Sequence, residues 1–194
     1  MKTPAAMVVS LAVLAILCLG AATAGERRTR ELVLRDGAGD VWTTPIGGDS
    51  YTPAPDLRVG DVLRVRLVHG ERTIRARARY VDLRRSGHQQ LDLAVQTHAG
   101  TWYADVASAP EDRAGRHHLW QQSGDAVPCA AMSHRIDYRT ETVAVQIPRR
   151  CLGTPGWVRV VVNNIHETTS RLAEDNPHSD QPFPHEPTRR LFAP

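Results

Sequence analysis

Two stretches near the centre of the chain, Glu141 to Ile147 and Trp157 to Asn163, alternate apolar and polar residues with a period of two. In Glu141 to Ile147 the residues Val143, Val145 and Ile147 interleave with Thr142, Ala144 and Gln146, and in Trp157 to Asn163 the residues Val158, Val160 and Val162 repeat the pattern. That alternation puts one residue set on each side of a strand, so both segments read as strands buried on one face. Ser133 to Tyr138 reads as a third strand before them. Pro148 has no N–H to offer a ladder, Arg149 to Leu152 suits one helical turn, and Gly153 suits its left-handed cap. Cys129 and Cys151, 22 positions apart, bracket the first two of these strands.

The same signals recur upstream. Leu32 to Leu34 reads as a short strand ended by the Asp36-Gly37-Ala38-Gly39-Asp40 turn cluster, and Val41 to Pro55 reads as loop. A hairpin follows, with Leu63, Val65, Leu67 and His69 facing the same way as Ile74, Ala76, Ala78 and Tyr80. Leu91 to Thr97 and Thr101 to Val106 read as two more strands, Glu111 to Arg116 as polar loop, and His118 to Gln121 as a further short strand. No helix-period segment longer than about two turns interrupts the series. The expected fold class is all-β, a single-domain antiparallel β-sandwich of jelly-roll or immunoglobulin-like type. Its core should hold Leu63, Val65, Leu67, Ile74, Ala76, Leu91, Leu93, Val143, Val145, Ile147, Val158, Val160 and Val162.

The ends of the chain differ from its middle. Met1 to Ala24 reads as a removable export signal: Lys2 supplies the positive start, Met7 to Leu19 a short apolar run, and Ala22-Thr23-Ala24 the small-residue cleavage site. Export places the protein outside the cell, as a secreted chain with no membrane span once the signal is removed. Cys129 and Cys151 are then expected to pair, a closure worth roughly 3 kcal/mol in the chain-entropy picture. Residues 164–194 turn polar and proline-rich, with Pro177, Pro182, Pro184, Pro187 and Pro194. The sandwich is therefore placed at 25–163 and the remainder is read as a tail, disordered by composition or else wrapped on the sandwich as extended chain.

Every basic residue except Lys2 is an arginine, and the formal charge of the whole chain is only +3. So slight an excess argues against nucleic acid as a partner. The arginines are nevertheless patterned. Arg64, Arg66, Arg75, Arg77 and Arg79 occupy the outward positions of the hairpin, forming an array able to hold phosphate, sulfate or carboxylate groups, or else a solvated face that guards a sheet. Asp36, Asp40 and Asp56, with Asp61, offer oxygens that calcium would accept in an irregular loop, although Asp36 and Asp40 also have ordinary turn spacing. No other cofactor is expected. Ser50 lacks the frame of a nucleophile elbow, and His117 and His118, adjacent in a strand, point to opposite faces.

A resemblance adds to this reading. Asp36-Gly37-Ala38-Gly39-Asp40-Val41, Ala54-Pro55-Asp56-Leu57, Tyr80-Val81-Asp82-Leu83, Asp137-Tyr138 and the run from Val145 through Pro148, Cys151 and Trp157 to Val160 resemble a family of small secreted actinobacterial proteins. The β-sandwich of that family is similar to the DOMON and family 9 carbohydrate-binding-module group. The resemblance spans most of Leu32 to Val162. It implies a ligand-binding sandwich, in a group whose members hold sugars, haem or calcium; the paired exposed tryptophans of the sugar binders and the Met/His pair of the haem binders are not matched. The expected function is a secreted, non-enzymatic binding module for an extracellular glycan or cell-envelope polymer. The rivals are a hydrolase using carboxylates such as Asp56 and Asp82, and a structural or protein-partner domain that uses the arginine array.

Overall fold

The computed structural model describes residues 29–181 and 186–194, so the export signal expected at 1–24 lies outside the described residues. In chain order the strands are β1 (Glu31–Arg35), β2 (Trp42–Pro45), β3 (Thr52–Pro53), β4 (Val62–His69), β5 (Thr73–Tyr80), β6 (His88–Thr97) and β7 (Gly100–Ala109). They continue with β8 (Asp112–Gln121), β9 (Ser133–Asp137), β10 (Thr142–Pro148), β11 (Trp157–Glu167), β12 (Arg171–Asp175) and β13 (Leu191–Phe192). They form two antiparallel sheets. One has five strands in the order β1-β4-β5-β10-β9; the other has eight, β3-β2-β12-β11-β6-β7-β8, with β13 paired to β11. The protein is an all-β sandwich with one disulfide, Cys129–Cys151. Among the described residues no helix is long and apolar enough to cross a membrane.

The period-two pattern builds the core directly. Val65, Leu67, Ile74, Ala76, Val143, Val145 and Ile147 from the smaller sheet meet Leu91, Leu93, Val95, Val158, Val160 and Val162 from the larger, all buried in one cluster. Leu63 departs from its expected place in that core. A bulge between Val62 and Arg64 lets Val62 pair with Tyr80 and turn inward, fully buried, leaving Leu63 half-exposed. One extra residue on a bulged strand reverses the alternation before it, and no local sequence signal marks where that happens.

Other boundaries shift for related reasons. Arg149–Leu152 is the expected single turn, closed by Gly153 at φ 74°. Thr52–Pro53, expected as loop, forms the edge strand, the position where proline costs no ladder bond, and Trp42–Pro45, also expected as loop, pairs between it and β12. Of the polar stretch at 111–116, all but Glu111 belongs to β8, which pairs with β7 across a second irregularity at Ala107/Ala109. The division at 163 is corrected too. β11 runs on to Glu167, β12 is inserted between β11 and β2, and β13 pairs with the start of β11, so the described part of 164–194 is built into the larger sheet. Leu191 is fully buried, and its carbonyl lies 2.9 Å from Nδ1 of the equally buried His69.

Candidate functional site

Each sheet has one face on the core and one outside, and the two outer faces are chemically opposite. On the five-stranded sheet, register places Arg64 directly across from Arg79, Arg66 across from Arg77, and Arg75 across from Val68. The five arginines singled out in the sequence therefore do share a face. Arg35, opposite Arg64, and Arg135, in line with Arg77 through Ala144, extend it. Like charges directly opposite destabilise a sheet, so each offsetting contact counts. Glu31 takes both forks of Arg66 at 2.7 Å, and Asp137 meets Arg135 at 3.0 Å. The face is shallow, with an open depression between Arg66, Arg75, Arg77 and Gln146.

The outer face of the eight-stranded sheet holds aromatic rings and carboxylates. One row runs across four strands as Asn163, Asp92, Asp105 and His118; the next runs as Val161, Ala94, Tyr103 and Trp120. Tyr103 and Trp120 stack with centroids 5.9 Å apart and planes 18° from parallel. Beside them is a depression of about 270 Å³ lined by Gln90, Asp92, Tyr103, Trp120, Val161 and Asn163. Its polar groups hold one another in place. Gln90 Nε2 donates to Asp92 Oδ1 at 2.8 Å, Asn163 Nδ2 donates to Glu174 Oε1 at 2.9 Å, and His118 Nδ1 lies 3.1 Å from Oδ1 of the buried Asp105. Burial pushes the Asp92 carboxyl up to about 6 against the opposing effect of Gln90, with the nearby Asp105 and Glu174 charges adding to the rise. Tyr51, near Glu174, is raised to about 12, chiefly by burial.

The sequence reading missed this face. Its signal was present in the outward positions of β6, β7 and β8, where Tyr103 and Trp120 stand in the places that solvent-facing polar residues would fill. What lines them up is register, set by turns at 98–99 and 110–111.

The metal candidates divide. Asp36 and Asp40 come together, with ligand oxygens within 4.8 Å of each other and of Asp175. Asp56 is exposed in the turn after β3 and is not in that group. Asp61 approaches from the entry to β4, where its Oδ2 accepts from Gly39 N at 2.8 Å. Of the carboxylates named for a hydrolase, Asp82 is tied to Arg84 at 2.7 Å and Asp56 is exposed in its turn. His117 and His134 join through their Nδ1 atoms at 2.7 Å, with His134 Nε2 donating to Ala114 O. No known family profile, curated protein or solved structure matches this chain.

Proposed function

We propose that the protein is an exported, non-enzymatic binding module, and that the outer face of its eight-stranded sheet takes an extracellular glycan. The observation that carries this reading is the Tyr103–Trp120 stack beside a polar depression on a rigid sheet. Sugar rings present apolar C–H faces and a rim of hydroxyls, so an aromatic surface next to fixed carboxylates and amides is chemically complementary to them. Asp92, Asp105 and Glu174 make this face acidic, which favours a neutral or amine-bearing sugar over a uronate. The arginine array of the other sheet serves a different contact, such as a phosphate-bearing envelope polymer or a protein partner.

A glycan and cell-wall array run beside a hydrolysis assay on the same polymers tests the proposal. Binding without turnover is expected, and Trp120→Ala should weaken it at least tenfold, about 1.4 kcal/mol. Binding that survives Trp120→Ala removes this face from the site. One observation favours hydrolysis as the second reading: Asp92 and Asp105 stand directly opposite on neighbouring strands, with the Asp92 carboxyl pushed up to about 6. Glycoside cleavage uses two facing carboxyls, one of them raised to act as the acid. Turnover abolished by Asp92→Asn, with binding retained, selects that reading.

A further inference from the structure

Four carboxylates from three distant segments converge at one edge of the sandwich, separate from the glycan face. Asp36 and Asp40 come from the β1–β2 connection, Asp61 from the entry to β4, and Asp175 from the end of β12. Ligand oxygens of Asp36, Asp40 and Asp175 lie within 4.8 Å of one another. Asp61 is 1% exposed and Asp175 2%. The carboxylate of Asp61 is turned onto the loop that carries Asp36 and Asp40: its Oδ2 accepts from Gly39 N, while its Oδ1 is buried with no donor. Asp36 Oδ2 and Asp40 Oδ1 are likewise buried without a donor, and Asp175 Oδ2 accepts from Val62 N at 2.5 Å.

Among the described residues no ion pair balances this charge, and the exposed Arg58 is the basic group that acts on Asp61, weakly. Buried carboxylates without a counter-ion must take up protons or gather a cation. Gly39 has φ 91°, and a Cβ there would stand 2.8 Å from Pro55 O, so only glycine lets the Asp36–Asp40 turn lie against the chain leading to β4.

The geometry points to a calcium site formed by Asp36, Asp40, Asp61 and Asp175 that clamps the two sheets together. Oxygens sharing one calcium ion lie at most about twice its roughly 2.4 Å bond length apart, which accommodates Asp36, Asp40 and Asp175, and calcium accepts irregular ligand sets where magnesium demands strict octahedral geometry. An all-oxygen ligand group also disfavours zinc and copper. Asp61 leads into β4 of the five-stranded sheet and Asp175 ends β12 of the eight-stranded one, so an ion between them ties the layers independently of any glycan.

The test uses the full chain, freed of metal with a chelator, at about pH 7.5. Titration calorimetry with calcium chloride should show one ion per chain, and saturating calcium should raise the melting temperature by at least about 4 °C, with magnesium giving far less. Asp40→Asn and Asp36→Asn should each weaken calcium at least tenfold, while Asp56→Asn leaves it unchanged. Both variants should melt above the metal-free native chain, because each removes a repelling charge. Absence of calcium heat and of any melting shift overturns the proposal, even if a variant fails to fold. So does a melting temperature that rises on acidification equally with and without calcium, which would mean that shared protons balance the cluster.

Discussion

Asp92 shows how one ionisation couples the candidate site to stability. Its folded carboxyl titrates at about 6 against the ordinary 3.8, so between these values the native state holds a proton that the unfolded chain has lost. Stability from this group is fully present below about pH 4 and falls as pH rises through 6, by at most roughly 3 kcal/mol. The groups bearing on it are Gln90 on its own strand, Asp105 on β7, itself held by His118, and Glu174 on β12. Urea unfolding at several pH values should show Asp92→Asn gaining on the native chain from pH 4 to 7; a difference that stays flat contradicts the assignment. Asn164 is a second informative residue. Fully buried, it accepts from Tyr80 Oη at 2.9 Å and from Gln89 Nε2, and donates to Gly60 O at 2.7 Å. Asn164→Ala strands all three partners, so a loss of about 3 to 5 kcal/mol is expected, whereas Tyr80→Phe should cost nearer 1 kcal/mol. Thermal unfolding of the two variants checks the ranking. Residue identity announced neither role, since an Asn and an Asp in strands of unknown register are indistinguishable from solvent-facing ones.

At the scale of elements, the disulfide joins the connection between β8 and β9 to the 3₁₀ turn after β10, closing the hairpin of β9 and β10. Replacing both cysteines by serine should lower stability by about 3 kcal/mol and the melting temperature by about 6 to 12 °C, read by calorimetry. This pairing was readable in advance because, of three cysteines, Cys18 falls within the expected export signal and leaves Cys129 and Cys151. The hairpin of β4 and β5 was readable as well, with its inward valines and alanines and outward arginines. The bulge at Val62 was not: it moved Leu63 outward because pairing with Tyr80 at that point is decided by the neighbouring strand. Strands β2 and β3 escaped for a similar reason. They are short and proline-bearing, and they exist because β12 offers β2 a partner.

For the whole molecule, the final segment is a structural part. Thr188 N donates to Val160 O and its Oγ1 accepts from Val160 N, each at 3.0 Å, while Leu191 fills the core beside His69. Deleting residues 187–194 should cost about 3 to 5 kcal/mol through the lost Leu191 packing and orphaned buried groups. A chain ending at 163, which also lacks β12 and Asp175, should not fold; circular dichroism and protease resistance read both outcomes. Composition alone had placed this segment outside the sandwich, because polar and proline-rich chain signals little burial of its own. The period-two alternation, the single turn at Arg149–Leu152 and the cysteine pair follow from local chemistry, and they were enough to define an all-β sandwich, its inward residues apart from Leu63, and its arginine face. The strand order, the register that stacks Tyr103 on Trp120 and aligns Asp92 with Asp105, and the meeting of Asp175 with Asp36, Asp40 and Asp61 arise only on folding. Each of these depends on contacts between segments far apart in the chain, and a local pattern carries no information about which distant strand will lie beside it.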